Sequence, residues 1–577
     1  MSSLRGNFAN RPEEIQKYLC ESDSDVTDDE DFELPTNIVV NDGSEYNSEC
    51  ESDENEDIIR NTYTWEWKNE INRVVEIPFI GHSGVNENII QKLCNDGTVP
   101  KENDAFSEIL GDDFFEMIVL ETNRYAQVKL DTVDIQNRQK WFPVTVDELK
   151  AFFALIVLMS QNPKQRLEMY WTKRIILRTP IFSKVMPYKR FLLLCKYLHF
   201  ANDYEGDDDR LKKIRPMIEY MNVKYENVYT PDKNIAIDES LMKCRGRLSF
   251  IQFNPSKRSR FGVKFYKLNE SKSGYCWKFS VYCGQDDHGD MLASEAVVMN
   301  LSEPLLNQGY AIHTDNWYSS PTLFRLLLDN KTYALGTVRK HRKNMPAAVV
   351  SKKLTAGEVV HQSSNNILCL KWQDKKDVLM LSTMHDSSLM TDTGKTKRVK
   401  RKVGGRVQVE EAQVVKPQVV IDYNNAMGGV DRQDQVLSSF PVMRRYSKSY
   451  KKIFFYMFDM ALYNSFVVWK TLTGKRESFT EFRLNFVEQI LEHVTLPQYP
   501  SRGRPSLGPS PLRLQTKNWA HFVMKIPPTA TKANPTKRCF VCAQKKVRSE
   551  TVWQCEKCEI PLHIPTCFRD YHTKLNF

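Results

Sequence analysis

The spacing of hydrophobic residues changes once along this chain of 577 residues. Over residues 106–229 apolar positions recur every three or four residues, most clearly in 148–160 and 189–200, which predicts helices. From residue 234 onward they alternate with polar positions, as in 261–265 and 277–281. That alternation predicts half-buried antiparallel strands, so a helical region precedes a region built around a sheet.

Two of the predicted strands end at an aspartate. The short apolar run 235–237 is followed by Asp238, and a strand over 310–314 is followed by Asp315. Ser320 then caps a helix that begins with proline. Several strands followed by a helix in this order are typical of a mixed α/β catalytic core.

The remaining segments differ in texture. Residues 1–60 are rich in Ser, Asp and Glu, and they predict a disordered acidic tail. Residues 341–416 break the alternation and are interpreted as an insertion between two halves of the core. The apolar run 453–469 contains Asp459, Asn464 and Ser465, which favours a buried helix over a membrane span. No apolar signal core opens the chain, so we expect a soluble intracellular protein without membrane contact.

The charge of the chain is unevenly distributed. The formal net charge is +9, yet 16 acidic residues and no Lys or Arg lie between Glu21 and Asp57. The rest of the chain carries 81 basic against 56 acidic residues. Such an excess favours a polyanionic partner, with nucleic acid first, although a merely basic surface has the same composition.

Three aspartates are candidates for metal-dependent chemistry. Asp238 and Asp315 follow strands, and Asp431 opens a predicted helix after two glycines, with Asp434 one helical turn further on. Carboxylates from separate elements can hold two Mg²⁺ ions about 4 Å apart for phosphoryl transfer on DNA. The alternative is that each aspartate is an ordinary turn or capping residue.

The residues around these aspartates resemble the piggyBac transposase family. The similarity lies in IDESLMKCRGRLSFIQFNPSKRSRFGVKFYKL (237–268), HTDNWYSSPTLFRLL (313–327), IDYNNAMGGVDRQDQ (421–435), NSFVVW (464–469) and RSETVWQCEKCEIPLHIPTCFRDYHT (548–573). It covers about 106–577. By this resemblance Asp238, Asp315 and Asp431 match the catalytic triad, and Asp434 matches an additional acidic residue and metal ligand.

The resemblance implies an α/β fold: a ribonuclease H-like catalytic core with an insertion domain, a surrounding helical dimerisation and DNA-binding region, and a small zinc-binding domain. The predicted boundaries are 1–60 acidic tail, 61–105 linker, 106–233 and 441–498 helical region, 234–340 and 417–440 core, 341–416 insertion, 499–537 basic flexible linker, and 538–577 zinc-binding domain.

Several basic and aromatic residues are candidate DNA contacts. Arg245, Arg247, Lys257, Arg258 and Arg260 adjoin Asp238 in sequence and are expected to bind DNA phosphates. The run 395–406 fits phosphate binding, a nuclear-import signal or a solvated loop equally well.

One aromatic position departs from the family pattern. Tyr450 stands where the founding insect member has Trp, and its ring keeps the capacity to stack on an unpaired base.

The C-terminal cysteines predict a zinc site on their own. Five of the 13 cysteines fall in the last 39 residues, as expected of a metal-binding cluster in a reducing compartment. The ligand candidates are Cys539, Cys542, Cys555, Cys558, His563, Cys567 and His572. These seven suit tetrahedral Zn²⁺, but two complete sites need eight ligands. His521, another cysteine, water or a single zinc ion would each account for the difference.

The sequence therefore predicts a nuclear cut-and-paste DNA transposase. Two Mg²⁺ or Mn²⁺ ions would serve each active site, and one or two Zn²⁺ ions would bind the C-terminal domain. The resemblance implies hairpin intermediates, insertion at TTAA and a homodimer acting on double-stranded DNA. The alternatives are a domesticated, catalytically silent DNA-binding protein and a nuclease without joining activity.

Overall fold

The computed structural model describes most of the chain. The described residues are 63–131, 141–202, 209–244, 248–253, 261–284, 291–403, 406–442, 448–499 and 521–577, with the short strand Val39–Val40. The chain divides into two compact units, Met1–Pro497 and Gln498–Phe577.

The helices of the first unit begin where the sequence supplies caps. Thr145, Ser320 and Ser478 each accept a hydrogen bond from the backbone N–H three residues on, which satisfies a donor left unpaired in the first turn. In chain order the helices are α1 (Glu87–Leu93), α2 (Glu102–Ile109), α3 (Asp112–Asp131), α4 (Val146–Gln161), α5 (Pro180–Val185), α6 (Tyr188–Tyr197), α7 (Arg215–Val228), α8 (Ala293–Ser302), α9 (Pro321–Asp329), α10 (Ala347–Ser351), α11 (Gln418–Ala426), α12 (Gly429–Ser439), α13 (Ser449–Thr473) and α14 (Phe479–His493).

The described part of the first unit contains fourteen strands, most of them in one mixed sheet. They are β1 (Val39–Val40), β2 (Gly84–Val85), β3 (Tyr229–Thr230), β4 (Asn234–Lys243), β5 (Gln252–Phe253), β6 (Phe261–Glu270), β7 (Cys276–Val281), β8 (Ala311–Thr314), β9 (Tyr333–Thr337), β10 (Val359–Ser364), β11 (Ile367–Gln373), β12 (Asp377–Ser382), β13 (Met390–Val403) and β14 (Arg406–Pro417). The order across the sheet is β1-β5-β6-β4-β8-β9-β12-β11-β10, with β7 also paired to β6.

The centre of the sheet changes strand direction. The strands β7, β6 and β4 are antiparallel neighbours, whereas β4, β8 and β9 run parallel. Parallel neighbours bring their carboxyl ends to the same edge of the sheet. The parallel pairing of β4 with β8 ends at Ile237 and Thr314, and the candidate aspartates follow directly, Asp238 within β4 and Asp315 after β8.

Helix α13 is the centre of the helical layer. It is buried on nearly every side, and the Phe454 ring stacks 3.9 Å from Phe200 while Phe458 lies 4.9 Å from Phe153, centroid to centroid. Its polar residues have specific partners: the Asn464 side chain accepts from the Cys276 backbone N–H at 3.0 Å and donates to the Cys276 carbonyl at 2.8 Å. These bonds attach the helix to β7. Within the described residues, no helix has the length and apolar character needed to cross a bilayer.

A buried ion pair joins α4 to α6. Two guanidinium nitrogens of Arg190 donate to the Glu148 carboxylate at 2.8 and 2.7 Å, and a third donates to the Phe142 carbonyl at 3.0 Å. The Arg190 guanidinium also lies 3.6 Å from the centre of the Phe142 ring. Because both charges are removed from water, each depends on the other for its neutralisation.

The second unit is small and contains short elements. They are β15 (Val523–Lys525), β16 (Lys537–Arg538), β17 (Glu550–Thr551), β18 (Trp553–Cys555), α15 (Phe540–Gln544) and α16 (Thr566–Thr573). Its hydrophobic core cluster is formed by Cys539, Val541, Cys555 and Leu562, with further cysteines packed around them. So few apolar side chains form too small a core to fold without additional stabilisation.

The mixed α/β fold predicted from the sequence is confirmed, and so are the helix at 148–160 and the strands at 261–265 and 277–281. The helix expected at 189–200 is present but ends at Tyr197. One strand differs from its prediction. The expected strand 235–237 continues to Lys243, because β6 pairs with it along its whole length, so Asp238 lies within the strand.

The range 341–416, expected as an insertion, has two parts. The strands β10, β11 and β12 extend the central sheet beyond β9, whereas β13 and β14 form a separate two-stranded ribbon. The basic run 395–406 lies in this ribbon. The acidic tail apart from Val39–Val40, and residues 500–520 of the basic linker, lie outside the described residues.

Replacing Arg190 with Met is expected to lower the free energy of unfolding by about 3–5 kcal/mol, because Glu148 is left buried without its cation. Urea unfolding of the full chain measures this. The matched control is Arg166→Met, since Arg166 pairs with Glu168 at 3.8 Å on an exposed surface, where about 0–1 kcal/mol is expected. Equal losses in both variants would contradict the role given to burial.

Candidate active site and metal centres

The parallel pairing of β4 with β8 places two carboxylates side by side. The last paired residues of these strands are Ile237 and Thr314, and Asp238 and Asp315 follow them directly. With Glu239 they form a group in which one carboxylate oxygen from each residue lies within 4.8 Å of the others. The parallel pairing of two neighbouring strands thus brings three acidic side chains to one point.

The electrostatics of this group favour a cation. Burial first, and then the charges of Glu239 and Asp315, raise the pKa of Asp238 to about 8. Burial and Glu239 also raise the pKa of Asp315 to about 6, although the backbone N–H groups of Trp317 and Tyr318 oppose the rise. Crowded carboxylates with raised pKa values gain most from a bound divalent ion, which offsets their repulsion.

Asp431 approaches this group from a third element. It lies in the first turn of α12, is exposed, and contributes to the raised pKa of Asp238. Close packing of the helix on the sheet depends on Gly429, where an added Cβ would meet the Glu270 carbonyl oxygen at 2.9 Å. A larger residue at position 429 would therefore force the helix that carries Asp431 to shift relative to the sheet.

Asp434, one turn further along α12, has a different environment. Its Oδ1 accepts a hydrogen bond from the Lys267 ammonium at 2.9 Å, and the same ammonium donates to Gln433 at 3.0 Å and to the Tyr456 hydroxyl at 2.8 Å. Burial lowers the pKa of Lys267, but Asp434 and Tyr456 more than offset this, and the net shift is upward. Lys267 lies directly opposite Asp238 in the β4–β6 register. One oxygen of Asp434 thus serves to fix α12 to the sheet.

Glu239 was not among the residues predicted from the sequence. Neighbouring residues in a strand point to opposite faces, so the pattern assigns Asp238 and Glu239 to different surfaces. In the structure the Glu239 carboxylate accepts from the Tyr318 hydroxyl at 3.2 Å and joins the acidic group. The residue pair Asp–Glu directly after an apolar run was the only sequence feature that pointed to it.

The predicted DNA contacts are mostly untested by the structure. Arg245, Arg247, Lys257, Arg258 and Arg260 lie outside the described residues. Tyr450 is half-buried at the start of α13, with its hydroxyl 3.1 Å from His199 Nδ1 and Lys213 Nζ 5.5 Å from its ring centre. Base stacking by Tyr450 stays a prediction.

The second unit contains two groups of four ligands. Cys539, Cys542, His563 and Cys567 form the first, with Cys542 Sγ 3.5 Å from His563 Nδ1 and 3.8 Å from Cys567 Sγ. A tetrahedral zinc ion with Zn–S bonds of about 2.3 Å has ligand atoms about 3.8 Å apart, so these spacings fit Zn²⁺.

His521 completes the second group. Its Nδ1 lies 3.4 Å from Cys555 Sγ and 3.3 Å from Cys558 Sγ, and Cys558 Sγ lies 3.7 Å from His572 Nε2. Of the alternatives left open for the eighth ligand, the structure favours this histidine. The ligands of the two groups alternate in pairs along the chain, which is the arrangement of a cross-braced module.

Comparisons with known proteins agree with this architecture. The model of the family described as Transposase IS4 matches residues 101–466, well over half of the chain. The chain is 28% identical over 482 residues to human PiggyBac transposable element-derived protein 3, covering 81% of this chain and 75% of that protein. The same identity and length relate it to the human Chimeric ERCC6-PGBD3 protein, of which it covers 42%.

A solved structure shares the fold. It is a cryo-EM structure of a piggyBac transposase synaptic complex with hairpin DNA, with a TM-score of 0.63 and 20% identity, covering 83% of this chain and 97% of that one. Together with the family match, this leads to one assignment. The chain belongs to the Transposase IS4 family of piggyBac-type transposases.

Proposed function

We propose that this protein is a DNA transposase that cuts and joins DNA with two Mg²⁺ or Mn²⁺ ions held by Asp238, Asp315 and Asp431. The observation that carries the proposal is the meeting of Asp238 and Asp315 where the parallel pairing of β4 with β8 ends, together with Asp431 in the first turn of α12. Once bound, such ions activate the attacking oxygen and stabilise the leaving oxygen of a phosphodiester.

Other residues around the site support the proposed metal ligands. Glu239 adds a fourth negative charge beside the metal ligands, and Tyr318 fixes its carboxylate. Lys267 and Asp434 hold α12 in place, and Asp431 on this helix would join the strand residues as a metal ligand. The five strands β7, β6, β4, β8 and β9 would then form a ribonuclease H-like core, with the carboxylates at its central strand pair.

The DNA chemistry is proposed from the family. A solved relative was captured with hairpin DNA, which supports hairpin intermediates in this protein as well. Insertion at TTAA, a homodimer that handles two transposon ends together, and action in the nucleus follow from the same family membership. The two Cys–His groups would bind two Zn²⁺ ions and order a module that recognises the transposon end.

A second function is supported by the relatives. The name of one relative describes a protein derived from a transposable element, so a catalytically silent DNA-binding protein is the competing proposal. The intact acidic group distinguishes the two proposals, because a DNA-binding role alone does not require crowded, unneutralised carboxylates.

Replacing Asp315 with Asn is expected to reduce precise excision by about 10³-fold or more, because loss of a metal ligand removes several kcal/mol of transition-state stabilisation. Excision is measured in cells from a reporter flanked by the element's own ends and TTAA sites. The control is Asp374→Asn, an exposed turn carboxylate, which should leave excision unchanged. A wild-type protein that binds these ends but never excises them would favour the silent DNA-binding protein.

Replacing His521 with Ala is expected to lower the zinc content from two ions per chain to one, since three ligands remain at the second group. Plasma mass spectrometry after gel filtration gives the ratio directly. The control is His493→Ala, an exposed histidine outside both groups. Two zinc ions in the His521 variant would show that the second group does not need this ligand.

A further inference from the structure

Two isoleucines stand in solvent at the tip of a turn between α4 and α5. Ile175 and Ile176 are 90% and 89% exposed, more than any other large apolar side chain among the described residues. They begin a short 3-10 turn, Ile175–Leu177. Apolar surface presented to water in this way is unfavourable unless a partner covers it, and it commonly marks an interaction site.

Three side-chain hydrogen bonds fix the backbone around this turn. The Lys164 ammonium donates to the Leu177 carbonyl and to the Thr179 hydroxyl, and Trp171 Nε1 donates to the Met186 carbonyl at 2.7 Å. These bonds fix the backbone on both sides of the tip. The isoleucines are thus held outward on a supported turn, as a side chain that inserts into a partner must be.

Cations surround the tip. Lys173, Arg174 and Arg178 are exposed, and none of them forms an ion pair with another described residue. The only acidic residue of the neighbouring chain segment, Glu168, is within 3.8 Å of Arg166. The surface therefore combines an apolar point with at least three positive charges available to a polyanion.

We propose that Ile175 and Ile176 form a wedge that inserts between base pairs of duplex DNA from the minor groove, while Lys173, Arg174 and Arg178 bind the flanking phosphates. Apolar side chains inserted at base steps unstack them and kink the duplex. The charges favour this partner over a second copy of the chain, in which the same cations would face each other. The inference rests on the proposed function for its partner and adds how that DNA is deformed.

The wedge has a preferred place of action. Pyrimidine–purine steps such as TA unstack at the lowest cost, and the proposed TTAA target has one at its centre. A kink there would open the target strands without any base-specific hydrogen bond. The wedge would thus contribute to target choice through the deformability of DNA.

The test uses the full chain carrying Asp315→Asn, so that DNA is not cut. The probe is a duplex of about 30–40 base pairs, well below the persistence length of DNA, with a central TTAA, 2-aminopurine at the TA step and a dye at each end. Binding is expected to raise 2-aminopurine fluorescence and to bring the ends closer. Ile175→Ser/Ile176→Ser should lose both effects, whereas Ile175→Leu/Ile176→Leu should keep them.

Two further variants distinguish phosphate binding by the three cations from insertion of the two isoleucines. Lys173→Gln/Arg174→Gln/Arg178→Gln should reduce the slope of log affinity against log salt by about 3, because each phosphate contact contributes about 0.9. The serine variant should leave that slope unchanged. Leu120→Ser is the matched control, since Leu120 is an apolar side chain that is 67% exposed on α3, and it should behave as the parent.

Several results would overturn the wedge. Unchanged fluorescence and end-to-end distance in the serine variant would do so, and so would a lowered thermal midpoint, which would make the isoleucines structural. A change of oligomeric state with unaltered DNA bending would identify the tip as a contact between copies. A parent protein that binds no duplex at all would instead refute the proposed function itself.

Discussion

The parallel pairing of β4 with β8 is the constraint on which the site depends. It brings Asp238 and Asp315 together after the pair Ile237–Thr314, although 77 residues of chain separate the two aspartates. The hydrogen bonds and apolar packing of a buried sheet hold these two carboxylates together against their mutual repulsion. Burial first, and then the neighbouring negative charges, raise the pKa values of both groups.

The position of Asp431 depends on the contacts of helix α12 with the sheet. Helix α12 can lie close to the sheet because Gly429 meets the Glu270 carbonyl, and it is held there by the buried Lys267, which bonds Asp434, Gln433 and Tyr456. Leaving that ammonium without its carboxylate would be costly, as for any isolated buried charge. The same helix thus carries the proposed metal ligand Asp431 and, one turn further on, the carboxylate of the contact that positions the helix.

Local sequence patterns predicted the helices and strands well. They predicted contacts between residues far apart in the sequence much less well. The periodicity of 148–160 and the Ser320 cap were sufficient to predict α4 and α9. The same reasoning ended β4 too early, since the strand continues only because β6 pairs with it. Glu239 was missed because alternation assigns it to the other face, and the Lys267–Asp434 contact spans 167 positions that no local pattern connects. The role of His521 needed the folded module, in which distant cysteines meet it.

The most direct measurement of the central claim is anomalous scattering from the DNA-bound protein prepared with Mn²⁺. The account predicts two manganese peaks about 4 Å apart, coordinated by Asp238, Asp315 and Asp431, as expected for two-metal phosphoryl transfer. Asp434 should remain bonded to Lys267. Peaks at another site, or a single ion with Asp431 turned away from it, would contradict the account.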